Sequence, residues 1–353
     1  MNDRINRLQQ MMLREGYDHF IISDYYNIFY LTGLKIHAGE RLLVLLLSSK
    51  KQPILIVNRL FPISESPEYV LSYYDDTDKP LNLLTDYLDG AKIAVDKTWR
   101  SGFLIGLMQL YPALYDNGSI MIDELRAIKD PYEQELLIKS SMNNDLIMQR
   151  IVPFLQTGVS EAEVAGQLKQ YYREINGNDE SFEAIVAFGE NGANPHAKPS
   201  DRQLRAGDSI VIDMGGPYHG YYSDMTRTFF CQRNEMEEVY ETVLKANLAA
   251  IEIIKPGVTF ARIDQAARTI IDEAGYGSYF THRTGHGIGM EVHEPYDVSA
   301  VNQRCVEAGM CFSIEPGIYL PGKGGVRIED LVLVSAEGVK VLNQYPKKVY
   351  ITK

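Results

Sequence analysis

The sequence predicts an α/β N-terminal domain followed by an α+β C-terminal domain. Three observations lead there. The chain has 353 residues, too many for one typical domain and about right for two. Up to about residue 120 the sequence alternates between helical and strand-like patterns, the rhythm of α/β folds. Beyond that, strands, then helices, then strands follow in blocks, which suggests segregated layers.

The elements follow in order. Residues 4–15 carry Ile5, Leu8, Met11 and Met12 at helical spacing, and Gly16 stops the helix. Residues 19–23, 40–48 and 52–57 read as strands, 81–88 as a helix and 91–96 as a strand. A boundary near residue 128 divides a domain at 1–125 from one at 126–353. Beyond it, Asp130 is placed as an N-cap, with Pro131 at the first helical position and Glu133 at the third. That helix is expected to run to about Phe154. Ser160 and Glu163 form a capping-box pattern that opens a second helix. Strands are expected within 183–189, 208–216 and 221–230, helices over 235–254 and 260–274, and strands again within 310–320 and 326–335.

Composition narrows the function. The net charge is −12, and no run of Lys or Arg marks a nucleic-acid or membrane footprint. Residues 1–20 are polar and helical, unlike a signal peptide, and no stretch reaches transmembrane length. A cytoplasmic protein is expected. Cys231, Cys305 and Cys311 form no CxxC pattern and read as buried thiols in a reducing compartment.

Acids are unusual inside apolar strands. Asp213 sits in SIVIDMGG and Asp224 in YYSDMTRTFF, with the turn-like GPYHGYY between them. A hairpin centred on Tyr218 and His219 sets 213 opposite 224. Glu315 lies in CFSIEPGIYL and Glu329 in VRIEDLVL, and a turn centred on Gly322 sets these two opposite each other. Two such pairs in dry strands repel unless they share protons or cations. Carboxylate oxygens suit hard divalent cations, and two such cations form a hydrolytic centre.

Three of the seven histidines, His282, His286 and His293, fall in THRTGHGIGMEVHEP. Glycines 285, 287 and 289 let the backbone bend or approach a ligand. GHGIG lacks the Lys and the strand–loop–helix setting of a phosphate loop. His196 lies in a Gly-, Asn- and Pro-rich loop, where function often resides.

These segments, together with ENGANPHAKPSDR, resemble the pita-bread metallopeptidases: aminopeptidase P, prolidase and methionine aminopeptidase. RINRLQQMMLREGYDHFIISDYYNIFYLTGL is similar to a creatinase-type N-terminal domain, which methionine aminopeptidases lack. The resemblance implies a catalytic pita-bread domain that hydrolyses Xaa-Pro bonds with two divalent metals, manganese first, or cobalt, zinc or iron. It implies Asp213, Asp224, His286, Glu315 and Glu329 as metal ligands, Asp224 and Glu329 bridging. Glu315 would also shuttle the proton. His196 and His293 would hold the substrate carbonyl and oxyanion. His282, Tyr319 and Arg327 would line the substrate pocket. The implied partners are a peptide with proline second and a second copy of the chain, with no nucleic acid and no membrane. Many prolidases carry an Arg after their HE dipeptide that binds a dipeptide's free carboxylate; Asp297 stands there in this chain. Dipeptidase and aminopeptidase action both stay open. The alternatives are an aminopeptidase of other specificity and a non-catalytic peptide-binding relative.

Overall fold

The structure is a computed structural model that describes residues 3–177, 180–233, 235–348 and 351–352. It divides into two compact units, residues 1–126 and 127–353.

The N-terminal unit contains α1 (Asp3–Glu15), β1 (His19–Ile22), α2 (Tyr25–Thr32), β2 (Val44–Ser48), β3 (Ile54–Asn58) and β4 (Val70–Tyr74). It continues with α3 (Pro80–Thr85), β5 (Lys92–Val95), α4 (Ser101–Leu110), β6 (Leu114–Asn117) and α5 (Ser119–Ala127). One mixed sheet of order β4-β3-β2-β1-β5-β6 runs through it, with β2 antiparallel to both neighbours. Every residue of β1 and β2 is buried, as their unbroken apolar runs require. Asp96 holds the start of α2, accepting from the Ser23 and Asp24 amides at 2.7 and 2.9 Å. Burial pushes its carboxyl up to about 6.

The C-terminal unit opens with α6 (Pro131–Ile151) and α7 (Glu161–Asn176). Both begin with the expected capping boxes. The Glu133 amide donates to Asp130 at 2.9 Å and the Asp130 amide to Glu133 at 2.8 Å. Ser160 and Glu163 repeat the exchange. The first helix ends earlier than expected: Val152–Phe154 is a tighter 3-10 turn. Pro153 has no N–H to continue the helical ladder.

Strands β7 (Ile185–Phe188), β8 (Ser209–Met214), β9 (Pro217–Tyr218), β10 (Tyr221–Tyr222) and β11 (Met225–Cys231) follow. Then come α8 (Met236–Glu252), α9 (Phe260–Glu273), β12 (Gly285–Gly287), β13 (Glu294–Val298), β14 (Cys311–Ile314) and β15 (Gly317–Leu320). The unit closes with β16 (Gly324–Arg327), β17 (Asp330–Val334), β18 (Val339–Val341) and β19 (Ile351–Thr352). It is built twice over. Helices α6 and α7 pack on β7, β8 and β11 around Ile147, Leu168, Tyr172, Ile212 and Met225. Helices α8 and α9 pack on β14 to β17 around Val243, Ala267, Phe312, Val326 and Val332. Cys231 and Cys311 are buried in the unit, but Cys305 is exposed, contrary to the sequence expectation.

Two hairpins place the acids. In the first, β8 and β11 are antiparallel with Asp213 opposite Thr226, not Asp224. The tip explains the slip. His219 and Gly220 both have positive φ, 51° and 89°, between the paired Tyr218 and Tyr221. Two such residues form the tight hairpin turn that matches strand twist. The turn is therefore centred one residue later than expected and the register moves by two. A shift of two preserves the face, so Asp224 is a diagonal neighbour of Asp213. The second hairpin has the expected register. Ile314 faces Asp330 and Gly317 faces Arg327, which sets Glu315 against Glu329.

Candidate metal centre and active site

Each of the acids sits at or beside the end of a ladder. Asp213 is the penultimate residue of β8, and Asp224 immediately precedes β11. Glu315 falls between β14 and β15, and Glu329 between β16 and β17. The two hairpins are tied here: the Glu329 amide donates to the Thr226 carbonyl at 3.1 Å. His286, in β12, reaches the same point from the side.

Glycines beside His286 serve close packing of chain on chain. A Cβ on Gly285 would lie 1.9 Å from the Ser313 carbonyl oxygen of β14. One on Gly287 would lie 2.4 Å from the Pro295 carbonyl oxygen. Strand β12 is pressed between two neighbours, and only glycine permits that approach.

The imidazole is oriented by its own backbone. His286 Nδ1 lies 3.1 Å from the Gly287 carbonyl. A carbonyl only accepts, so Nδ1 carries the hydrogen and Nε2 presents its lone pair. Nε2 is 3.8 Å from Asp224 Oδ2 and 3.4 Å from Glu315 Oε1. Burial first, with neighbouring charge, lowers this ring to about 4.

The carboxylates are buried together: Asp213 is 8% exposed, Asp224 5% and Glu329 1%. Asp213 Oδ1, Asp224 Oδ1 and Glu329 Oε1 have no hydrogen-bond partner among the described residues. Burial, then the charges of Glu329, Asp213 and Glu315, pushes Asp224 well above the usual carboxylate range. Burial, then Glu315 and Asp213, does the same to Glu329. Donor atoms of Asp224, His286 and Glu329 lie within 4.8 Å of one another. Orphaned buried oxygens around a lone-pair nitrogen fit divalent cations, which satisfy the oxygens and remove the repulsion together.

A second layer, part of it not foreseen from the sequence, holds the acids in place. Thr226 Oγ1 donates to Glu329 Oε2 at 2.8 Å and accepts from Arg327 Nε at 3.1 Å. Arg327 also donates to Asp213 Oδ2 at 2.6 Å, to the Pro195 carbonyl at 3.2 Å and to the Tyr319 hydroxyl at 2.9 Å. Ser313 Oγ donates to Glu315 Oε1 at 3.3 Å. The alternation of Asp224, just before β11, with Thr226 and Thr228 in it was the available signal for Thr226, because side chains two apart share a face.

One cavity of about 770 Å³ collects nearly all the expected site residues. Asp213, Asp224, His286, Glu315, Glu329, His196, His282, His293 and Arg327 line it. His196 and His293 are exposed on its open side, and His293 packs edge-on against His286 with ring centroids 4.2 Å apart. One expectation needs correction. Tyr319 lies behind the wall, and its hydroxyl is taken by Arg327 and by His282 Nε2 at 2.8 Å. Arg327 lines the wall, and its guanidinium also clamps Asp213. Because Arg327 donates to Tyr319, the phenol donates onward to His282 Nε2. His282 Nδ1 then donates to the Arg283 carbonyl at 2.7 Å.

A paired-carboxylate centre in a strand-built cavity, in a chain whose N-terminal part forms a separate α/β unit, defines a two-domain hydrolase of the pita-bread class. Residues 135–336 match Metallopeptidase family M24, and residues 4–128 match the Creatinase/Prolidase N-terminal domain. The chain belongs to metallopeptidase family M24 and is a metallopeptidase. An uncharacterized peptidase of Staphylococcus epidermidis is 38% identical over 351 residues, covering 98% of this chain and 99% of its own. The prolidase of Thermococcus sibiricus superposes with a TM-score of 0.91 at 34% identity, over 99% of this chain and 98% of that one. The Xaa-Pro dipeptidase of Bacillus anthracis gives 0.91 at 30% identity, over 99% of both chains. Among the described residues no helix is long and apolar enough to cross a membrane.

Proposed function

We propose that the protein hydrolyses the bond between an N-terminal residue and a following proline, using two divalent cations. The observation that carries the reading is the set of three buried carboxylate oxygens, on Asp213, Asp224 and Glu329, that have no hydrogen-bond partner among the described residues, two of them on acids grouped with His286. Proline specificity is supported by the similarity to a prolidase and an Xaa-Pro dipeptidase over 99% of the chain. Asp213, Asp224, His286, Glu315 and Glu329 would hold the cations. Oxygen-rich ligation favours manganese. Cations held there supply Lewis acidity and lower the pKa of the water that attacks.

The remaining work falls to side chains. Glu315, whose side chain is 15% exposed against 12% for Asp213 and 6% for Asp224, is the most open of these three acids. It takes the proton from the attacking water and returns one to the leaving proline nitrogen. His196 and His293, on the open side, hold the substrate carbonyl and the oxyanion that forms from it. His282 sits in the wall with both ring nitrogens already bonded, so it shapes the pocket. Phe182, Ile185 and Val292 give the cavity apolar surface for the substrate. The protein acts in the cytoplasm as a homodimer.

The test is metal analysis with peptide hydrolysis. Purified protein is expected to bind two divalent ions per chain and to cleave Xaa-Pro substrates, with Asp224→Asn inactive. Absence of stoichiometric metal together with an active Asp224→Asn variant would overturn the metal mechanism. Cleavage of Met-Ala but not of Xaa-Pro peptides would overturn proline specificity.

A further inference from the structure

A carboxylate removed from water needs either a cation or a full set of donors. Glu161, the first residue of α7, is 0% exposed and forms no ion pair among the described residues. Donors surround it instead. Its Oε1 accepts from the Phe188 amide at 2.8 Å and from Asn191 Nδ2 at 3.0 Å. Its Oε2 accepts from the Ser200 amide at 3.1 Å, from Ser200 Oγ at 2.6 Å and again from Asn191 Nδ2 at 3.1 Å. An acid in the first turn of a helix is favoured by the helix dipole as well.

These donors come from one loop, and from both of its ends. Phe188 closes β7, and Asn191 lies in the 3-10 turn Gly189–Ala193 that follows. Ser200 stands on the return side. Between them the chain carries Pro195, His196 and Lys198 along the cavity wall. The backbone repeats the attachment: the Glu161 and Ala162 amides donate to the Arg202 and Ser200 carbonyls at 3.1 and 3.0 Å. Within the loop, the His196 amide donates to Asn194 Oδ1 at 3.0 Å, and Arg327 donates to the Pro195 carbonyl at 3.2 Å. The His196 imidazole forms no hydrogen bond among the described residues, so its place at the cavity is inherited from the loop.

We propose that Glu161 is a positioning residue for hydrolysis: by fastening both ends of the loop it sets His196 where the substrate carbonyl and the oxyanion lie. This rests on the role given to His196 above. The charge is part of the function. A carboxylate offers acceptors on both oxygens, and each oxygen here receives its own group of donors. Glutamine has the same shape but turns an NH2 group toward one of the two groups. One end of the loop is then released while the other stays held. None of the bonds to Glu161 involves a metal-site acid, so metal binding is expected to stay as it is.

The experiment is a double-mutant cycle on the metal-loaded, full-length protein, with an Xaa-Pro dipeptide and an Xaa-Pro-Yaa tripeptide as substrates. Wild type, Glu161→Gln, His196→Ala and the double variant are measured, with thermal melts and competition against a chromophoric chelator. His196→Ala is expected to lower kcat by about a hundredfold, and Glu161→Gln by about tenfold or more, with KM moving less. The double variant is expected to be no slower than His196→Ala alone, with metal affinity within about threefold of wild type throughout. Losses that multiply in the double variant overturn the proposal, since a purely structural glutamate would act whether or not the imidazole is present. So does a kcat of Glu161→Gln within about threefold of wild type, or a metal affinity that falls in step with kcat. Should Glu161→Gln not fold, the same cycle is read with Ser200→Ala, which removes one donor at the surface; a severalfold loss that vanishes beside His196→Ala supports the proposal, and any other result overturns it. Wild-type turnover in His196→Ala removes the role of His196 and this inference, and leaves Xaa-Pro hydrolysis standing. Wild type that holds metal and cleaves neither peptide overturns the Xaa-Pro reading and this inference with it.

Discussion

Thr226→Val removes one hydroxyl from a fully buried site and changes the side-chain volume little. The threonine bridges the two hairpins' chemistry. It donates to Glu329 Oε2 at 2.8 Å and accepts from Arg327 Nε at 3.1 Å. Valine forfeits both bonds. Glu329 loses the donor that fixes its carboxylate, and Arg327 is left with a buried N–H unpaired. A hydrogen bond to a charged group contributes about 1.5–3 kcal/mol, and each 1.4 kcal/mol is about tenfold in affinity. Metal affinity is therefore expected to fall by about 10- to 100-fold, the range seen when outer partners of metal ligands are removed. Competition against a chromophoric chelator measures it directly. Thr226→Ser keeps the hydroxyl and should hold most of the affinity. The reasoning fails if Thr226→Val binds metal within about threefold of wild type, or if serine loses as much as valine.

Three further outcomes are expected. Glu315→Gln should lower kcat steeply with a melting temperature close to wild type, since both a ligand charge and the proton carrier are lost; turnover within a few-fold of wild type would remove Glu315 from that role. Gly285→Ala should reduce metal binding although it touches no ligand, because the new Cβ meets the Ser313 carbonyl oxygen and β12 must move, carrying His286 with it; a metal titration that matches wild type would refute this. The metal-free protein should lose stability as pH rises above the ordinary carboxylate range. Asp224 and Glu329 hold protons more tightly folded than unfolded, so the folded state is favoured at low pH and that advantage fades as the pair is forced to ionise. Saturating metal should flatten this slope in melts run across pH, and identical slopes with and without metal would contradict it.

Local chemistry made parts of this molecule legible. Asp130 with Glu133, and Ser160 with Glu163, announce helix starts because both partners lie within four residues of each other. The acids of the second hairpin were placed correctly because Gly322, with its positive φ, marks the turn. The first hairpin slipped because the His219-Gly220 pair, with both residues at positive φ, is the better turn centre. Elements with weak periodicity went unread. Helix α4 is apolar on most sides, with Ile105 and Met108 exposed, so no stripe reveals it. Strand β6, LYDN, has no buried residue. At the site, one partnership escaped the sequence. Tyr319 was marked as pocket wall, whereas it supports the wall from behind, bonded to Arg327 and His282. Such a role depends on which side of a hairpin strand faces the cavity, which spacing along the chain does not encode.

The placement of the acids at ladder ends has an engineering consequence. Their positions are set by the paired strands on either side of each break, and neither hairpin tip carries a ligand. Residues 219–220 and 321–323 are therefore the places where the chain can be lengthened, tagged or exchanged with the centre undisturbed. A single residue inserted between Asp213 and Gly216, whose carbonyl accepts from the Ser223 amide at 3.1 Å, works in the opposite sense. It would turn one carboxylate to the far face of its strand and dismantle the centre without altering any of its residues.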